Sequence, residues 1–259
     1  MRFLPGLLLL LPLVSPLAHA ELIDDVFDRG ELRIALEANT PPFNFKEGDK
    51  LTGFEVELGE LLAKEMDVRP SFITVDAAEL LAGVESAKYD VAINHIAMTP
   101  ELADRFDFSE PYSYSSAQLI VRKQEQRPLG SFAALKGKAL GVAQGSQFVE
   151  QARTAEGVDL RSYADAKQPI KDVADQQIDA AISDRLLIPY AIRDSELPVK
   201  GGADVGPTLS LAIPFQKGNP AFKASLDKAL QRVKADGRLT ALSEKWFGMD
   251  ASKPVKKAE

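Results

Sequence analysis

The chain has 259 residues, of which 45% are hydrophobic and 27% are charged, and it contains no cysteine. This composition is typical of a globular protein of one or two domains, and the lack of thiols excludes disulfides, thiol catalysis and thiolate metal sites. With 31 basic and 38 acidic residues, its net charge of −7 disfavours nucleic acid and anionic membranes as partners.

The first 20 residues have the pattern of an export leader. Arg2 precedes the apolar run LPGLLLLLPLV, which is too short and too interrupted by proline for a good membrane span. Ala18-His19-Ala20 is a small-x-small cleavage site. We therefore predict a periplasmic protein that begins at Glu21, with an uncleaved anchor as the alternative. A lipid anchor is excluded because no cysteine follows the leader.

The first half of the mature chain alternates strands with helices. Strands are predicted for LRIAL at 32–36, RPSFITVD at 69–76 and DVAINH at 90–95. Apolar residues at helical spacing predict a helix after Gly53 and a shorter one near residues 80–84. Such alternation predicts a mainly parallel sheet with helices on both faces.

The pattern restarts after the polar connector RKQEQRPLG at 122–130. KALGVAQGSQF is a strand that leads into a glycine turn, and QIDAAISDR is a further strand. A helix capped by Asn219, with Pro220 at its first position, then carries an apolar stripe that returns the chain to the first lobe. The members of that stripe are Phe222, Leu226, Leu230 and Val233.

Two segments suggest two similar lobes. KYDVAINH and QIDAAISD each place an Asp before small apolar residues and then polar ones. Because open α/β sheets bind ligands at the carboxyl ends of their strands, these polar residues predict a binding cleft. The alternative is a chance likeness between two buried strands.

Five blocks, in order, carry a family likeness: GELRIALEANTPPFNF, YDVAINHIAMTPELADRFDFSEPY, LKGKALGVAQGS, IDAAISD and DGRLTALSEKWFG. The chain resembles the family 3 periplasmic solute-binding proteins of ABC importers over its whole mature length. LTGFEVE, ISDR and LSEKWFG make it most similar to the cystine-binding branch.

The resemblance implies an α/β clamshell of type II with two crossover strands, near Ser116–Leu119 and Leu209–Ile213. Lobe 1 would comprise residues 21–116 and 213–259, and lobe 2 residues 117–212. It also implies a monomer without cofactor or metal that captures a polar amino acid such as cystine and contacts a membrane permease.

This chain departs from the family's pattern at the residue that binds the ligand carboxylate. The arginine that the family uses for the ligand carboxylate corresponds to Leu102, which cannot donate a hydrogen bond. Arg105 lies one turn further on and either reaches back or is a surface residue. Amides near Thr99 could still meet a carboxylate, so specificity is expected to be altered.

Two more family positions have changed. The aromatic that stacks on the ligand corresponds to Thr40, next to Phe43 in the same loop, and a hydroxyl position in the cleft turn corresponds to Ala97. Without the aromatic ring and the guanidinium, an ordinary amino acid would bind more weakly or in another pose.

The other predicted site residues each have a structural alternative. Asp184 matches the family's ammonium-binding carboxylate, or it is a solvated carboxylate or pairs with Arg185. Gly145 and Ser146 match a turn that donates to a ligand carboxylate, or they form a plain helix cap. The remaining three are Glu37, which binds a second cationic group or pairs with a lysine, and Asn94 and His95, which face the cleft or are structural.

Two other functions remain open. A protein with this fold could serve a sensor or another periplasmic partner instead of an importer. It could also be an enzyme like the dehydratases that resemble this family, with His95 and either Glu37 or Asp184 as acid and base. No G-x-S-x-G, H-E-x-x-H or P-loop pattern occurs, so a non-enzymatic binding protein is the main interpretation.

Overall fold

The computed structural model describes residues 21–255, with the side chains of residues 194 and 195 excepted. The predicted leader and its cleavage site lie outside these residues. Within the described part of the chain, no helix has the length and hydrophobicity needed to cross a membrane.

Helices and strands alternate through most of this part of the chain. The helices are α1 Leu22–Arg29, α2 Phe54–Glu65, α3 Ala77–Glu85, α4 Pro100–Ala103, α5 Val149–Arg153, α6 Lys167–Ala174, α7 Ile188–Ser195, α8 Pro220–Ala235 and α9 Arg238–Phe247, with a 3-10 turn at Ala133–Leu135. The strands are β1 Glu31–Leu36, β2 Asn39–Thr40, β3 Asn44–Glu47, β4 Lys50–Thr52, β5 Arg69–Thr74, β6 Val91–Ala92, β7 Phe106–Phe108, β8 Ser113–Arg122, β9 Ala139–Ala143, β10 Asp159–Tyr163, β11 Ala180–Asp184, β12 Val199–Leu211 and β13 Pro214–Gln216.

Two separate sheets form the centres of two lobes. The lobe 1 sheet has the order β5-β1-β6-β13-β7, and the lobe 2 sheet has the order β10-β9-β11-β8-β12. Each is flanked by helices and has its own apolar core. The fold is therefore the α/β clamshell that the sequence predicts.

The sheets are mixed, whereas the alternating pattern predicts mainly parallel ones. In lobe 1, β1 runs parallel to β5 and β6, while β13 runs antiparallel to β6 and β7. In lobe 2, β9 runs parallel to β10 and β11, while β8 runs antiparallel to β11 and β12. The antiparallel pairs arise because β8 and β12 carry the chain between lobes in opposite directions and β13 returns it to lobe 1.

The long strands β8 and β12 join the lobes. They pair antiparallel from Ser113 opposite Leu211 to Arg122 opposite Val199. The chain enters lobe 2 along β8 and leaves along β12, and the predicted crossings overlap both strands. The lobe boundaries at residues 116 and 213 remain a prediction.

The C-terminal helices belong to lobe 1. The apolar stripe of α8 is buried as predicted, together with residues of α1, α2 and α9. The predicted cap is not formed: the Asn219 side chain makes no capping bond, and its Oδ1 accepts from the Leu22 amide at 2.8 Å. This bond ties the start of the described chain to the C-terminal helices.

Candidate functional site

A cavity of about 470 Å³ lies between the two lobes. The ends of β1 and β6 and the loop before β3 supply its lobe 1 wall, and the turn after β9, the loop after β10 and the end of β11 supply its lobe 2 wall. Eight of the eleven predicted residues line it: Glu37, Thr40, Phe43, Asn94, His95, Gly145, Ser146 and Asp184.

The other three predicted residues do not line this cavity. Ala97 pairs with Leu211 in an isolated bridge, and the hydroxyl of Thr99 accepts from the Leu102 amide at 3.3 Å. Leu102 is half-buried and packs against the apolar cluster of lobe 1. Thr99 thus caps the short helix α4 and Leu102 packs into lobe 1, and the ligand contacts expected of these three residues stay predictions.

Arg105 does not line the cavity. Its Nη2 donates to Glu85 Oε2 at 2.6 Å, and both side chains are about half exposed. This pair holds the guanidinium on the surface of lobe 1. Of the two alternatives for Arg105, the observed contacts therefore favour a surface residue.

Amide side chains order the lobe 1 wall. Asn94 donates from Nδ2 to Glu37 Oε2 at 2.7 Å and accepts from the Glu37 backbone amide at 2.9 Å. Asn44 donates to Asn94 Oδ1 at 3.1 Å and accepts from the Ala38 amide at 2.8 Å. These bonds fix the position of the Glu37 carboxylate.

Behind this wall lies Glu55, which the sequence analysis missed. It is fully buried and accepts from Asn44 Nδ2 at 2.6 Å, from Tyr112 Oη at 2.7 Å and from the His95 backbone amide. Its signal was available, because Glu55 precedes Leu58 and Leu62 by three and seven residues and so shares their buried helix face. A carboxylate in that stripe indicates a buried polar network.

The backbone of α2 brings Glu55 to this place. Gly53, with φ of +125°, starts the helix, and an added Cβ would lie 2.2 Å from the Phe43 carbonyl oxygen. That same carbonyl accepts from the Glu55 amide at 2.8 Å. Only glycine permits this close approach of two backbone segments.

His95 joins the lobes. It has a φ of +52°, its ring packs on Phe43 with centroids 4.0 Å apart, and its Nε2 lies 3.0 Å from Asp184 Oδ2 in lobe 2. Its Nδ1 is buried and has no hydrogen-bond partner among residues 21–255. His95 is the only histidine that remains after the predicted cleavage.

Burial and charge act in opposite directions on this pair. Burial disfavours the imidazolium, but the carboxylates of Asp184 and Glu55 outweigh it and raise the pKa of His95 above its ordinary value. Burial likewise disfavours the Asp184 carboxylate, but His95, Ser115 and the Leu186 amide lower the pKa of Asp184. Both shifts favour a charged pair across the lobes.

Asp184 has most of its hydrogen-bonding capacity used. It is 6% exposed. Its Oδ1 accepts from Ser115 Oγ at 2.6 Å and from the Leu186 amide at 2.9 Å, while Oδ2 faces His95. The predicted pair with Arg185 is not seen; the Arg185 Nε lies 4.0 Å from Asp204.

The lobe 2 wall is a turn followed by a loop carboxylate. The Ser146 amide donates to the Ala143 carbonyl at 3.2 Å, and its hydroxyl accepts from the Phe148 amide at 3.2 Å. Asp165 Oδ1 accepts from the amides of Lys167 and Gln168 at the start of α6, at 2.8 Å each. Within the described residues, no cluster of His, Cys, Asp and Glu has the composition of a metal site.

A second cavity of about 680 Å³ adjoins the first. It lies between the loop that contains Pro41 and the helices α6 and α7. Five residues line both cavities: Thr40, Asp165, Ala166, Ile170 and Leu187. The space between the lobes thus extends from a part lined by both polar and apolar groups towards a more apolar one.

A cavity to which both α/β lobes contribute polar side chains, with the lobes linked by two long crossing strands, defines a two-lobed solute-binding protein. Residues 32–249 match the bacterial extracellular solute-binding proteins of family 3. The chain is 34% identical to the L-cystine-binding protein TcyJ of Escherichia coli K12 over 93% of this chain and 91% of that protein. The chain therefore belongs to family 3, and the predicted likeness to its cystine-binding members is confirmed.

Solved structures agree with this assignment. The L-cystine solute receptor of Neisseria gonorrhoeae, in its unliganded open conformation, is 28% identical with a TM-score of 0.79, over 90% of this chain and 99% of that one. An ancestral cationic amino acid solute-binding protein is 27% identical with a TM-score of 0.78, over 87% and 99%.

Proposed function

We propose that this protein is the periplasmic substrate-binding component of an ABC importer and that it captures cystine or a related polar amino acid between its lobes. The observation that carries the proposal is the cavity lined by polar side chains of both lobes. The cystine-binding relatives support the choice of ligand, and relatives described as ABC transporter-binding proteins support the role in import.

The rest of the cycle follows from this role. The exported chain, cleaved after Ala20, works as a monomer and contacts the permease only transiently. The lobes hinge about β8 and β12, and lobe 1 comprises residues 21–116 and 213–259. The His95–Asp184 pair then forms or breaks as the lobes approach or separate, because its members belong to different lobes.

The test is a thermal-shift panel on residues 21–259 with cystine, cysteine, other polar amino acids, small dicarboxylates and amines. A ligand at 100 times its Kd stabilises the folded state by about 2.7 kcal/mol, a shift of several degrees for a chain of this size. Glu37→Gln should reduce the shift, whereas Glu60→Gln, on the exposed face of α2, should not. No shift with any member would contradict the proposal.

We also propose that the protein performs no chemistry on its ligand. The close approach of His95 and Asp184 is what an acid and base pair would need, so the enzyme alternative has a specific test. Nuclear magnetic resonance spectra of a bound ligand should be unchanged after incubation with the protein. Loss of the ligand with growth of product signals, absent with His95→Gln, would favour the enzyme.

A further inference from the structure

The charged groups that line the first cavity are mostly acidic. Three carboxylates line it, those of Glu37, Asp165 and Asp184, and no Lys or Arg of the described chain does. His95 is the one lining side chain that can carry a positive charge, and Asp184 already faces it. A solute in this cavity therefore meets excess negative charge.

Basic side chains elsewhere in the two lobes have other contacts. Arg105 pairs with Glu85, Arg185 donates to Met249 Sδ at 3.2 Å, and Lys171 of the second cavity donates to Asp175 at 2.7 Å. Lys167, two positions after Asp165, is exposed and lines the second cavity. Lys167 is therefore the rival receptor for a ligand carboxylate.

Few backbone donors are available in the lobe 2 turn. The amide of Gln144 donates to the Tyr163 carbonyl and that of Ser146 to the Ala143 carbonyl. The amides of Gly145 and Gln147 have no partner among the described residues, but they are neutral. A buried carboxylate needs a compensating cation or several donors, and two neutral amides beside three carboxylates do not provide this.

The same walls hold carboxylate oxygens that are free to bind a cation. Glu37 uses Oε2 for Asn94, and Asp165 uses Oδ1 for the start of α6. The second oxygen of each has no hydrogen-bond donor within residues 21–255. These two carboxylates come from opposite lobes, so a cation between them would link lobe 1 to lobe 2.

We propose that the cavity selects its solute by ammonium groups, which Glu37 and Asp165 meet from the two lobes, and that it makes little use of a carboxylate. The ligand class is then a small amine, with or without a carboxyl group. This inference rests on the proposed function in one respect, that the cavity is the binding site.

Three small disulfide compounds that share one carbon and sulfur skeleton test which charged group the cavity recognises. L-Cystine carries both kinds of charged group, cystamine lacks its carboxylates, and 3,3′-dithiodipropionate lacks its ammonium groups. The chain has no cysteine, so none of them can exchange disulfides with it. L-Lysine and 1,5-diaminopentane form a second pair that differs only in the carboxylate. Isothermal titration calorimetry at pH 7 measures each Kd.

The amines should bind as tightly as their parent amino acids, within about threefold. The dithiodipropionate should bind at least about 100-fold more weakly than cystamine, because it loses charge-assisted hydrogen bonds. Glu37→Gln and Asp165→Asn should each weaken cystamine binding by about tenfold or more. Asparagine retains a cap for α6, and Glu60→Gln is the control without effect.

Contrary results separate this inference from the proposed function. If an amino acid binds and its decarboxylated amine binds more than about tenfold more weakly, the carboxylate is recognised and the inference is wrong, while the capture of amino acids stands. A loss of cystine affinity in Lys167→Ala without a loss for cystamine would also overturn it. If no compound of either set binds, the proposed function fails, and the inference fails with it.

Discussion

The two walls of the cavity are built in different ways. Lobe 1 presents side chains that are bonded to one another, from Glu37 through Asn94 and Asn44 to the buried Glu55. Lobe 2 presents a tight turn and Asp165, an exposed carboxylate beside the start of a helix. Asp184 is the exception in lobe 2, because it is buried and bonded to Ser115, which lies on a crossing strand.

This difference indicates that lobe 1 is organised before the solute arrives. Side chains that are already hydrogen-bonded lose little conformational freedom when a ligand binds, and this lowers the entropic cost of association. It also means that changes in lobe 1 affect folding as well as binding, whereas changes in the lobe 2 turn affect mainly affinity.

Glu55→Ala should lower the free energy of unfolding by about 3–5 kcal/mol, because it leaves three donors without their acceptor at a buried position. Urea unfolding at pH 7 measures the change. The control is Glu60→Ala on the exposed face of the same helix, expected to stay within about 0.5 kcal/mol. Equal effects of the two substitutions would mean that the network does not stabilise lobe 1.

Two glycines with positive φ, one in each lobe, differ in the space available for an added Cβ. Gly53→Ala should cost about 2–4 kcal/mol, because its Cβ would collide with the Phe43 carbonyl. Gly145→Ala should cost only about 1–2 kcal/mol, since an added Cβ there has nothing within 4 Å and only the backbone conformation is strained. A reversed order in urea unfolding would refute the contrast between a crowded lobe 1 and an open lobe 2 turn.

The His95–Asp184 pair predicts a dependence on pH. A raised pKa of His95 means stability that is fully present below the unfolded value of about 6.5 and is lost as pH rises through the folded pKa. The lowered pKa of Asp184 means stability present above about pH 3.9 and lost as pH falls through its folded pKa. The titratable groups that face His95 are Asp184, Glu55 and Tyr112.

Residues 21–259 contain one histidine, which makes this dependence measurable. The imidazole proton signal should titrate above 6.5, and urea unfolding should show lower stability at pH 8.5 than at pH 6. In His95→Gln that difference should shrink. An imidazole pKa at or below 6.5 would show that burial outweighs the carboxylates.

The smallest effect is expected at Arg105. Because its guanidinium is held by Glu85 on the surface, Arg105→Ala should change the Kd of any ligand by no more than about twofold. Titration calorimetry with the tightest ligand of the panel measures it. A loss of tenfold or more would show that Arg105 reaches the solute and supplies the guanidinium that Leu102 lacks.

The sequence indicates much of the fold because strand and helix periodicities are local. Asn94, His95 and Asp184 could be expected to lie near one another, since each lies at or just beyond the end of a strand and ligands bind at that edge of a sheet. The role of Glu55 as a buried hydrogen-bond acceptor could not be predicted from strand ends, because its three donors come from separate segments of the chain. The match of Leu102 to the family's clamp position is an inference from sequence. In the structure its side chain packs against the apolar cluster of lobe 1 and does not line the cavity.

The short strands β2, β3 and β4 form a small sheet that no periodicity predicts, since each has four residues or fewer. The pairing of His95 with Asp184 depends on how the two lobes face each other, which is set by the crossing strands β8 and β12. Contacts of this kind follow from tertiary packing and are not encoded in any local pattern.

If the space between the lobes receives the solute, a crystal structure of residues 21–259 saturated with the tightest ligand should show the ligand there. With cystine or cystamine, the anomalous signal of sulfur marks the disulfide, since residues 21–259 contribute only three methionine sulfurs, those of Met66, Met98 and Met249, and no cysteine. We predict paired sulfur peaks in the cavity bounded by Glu37, Phe43 and Ser146. Ligand density elsewhere, with this cavity filled by ordered solvent alone, would contradict the account.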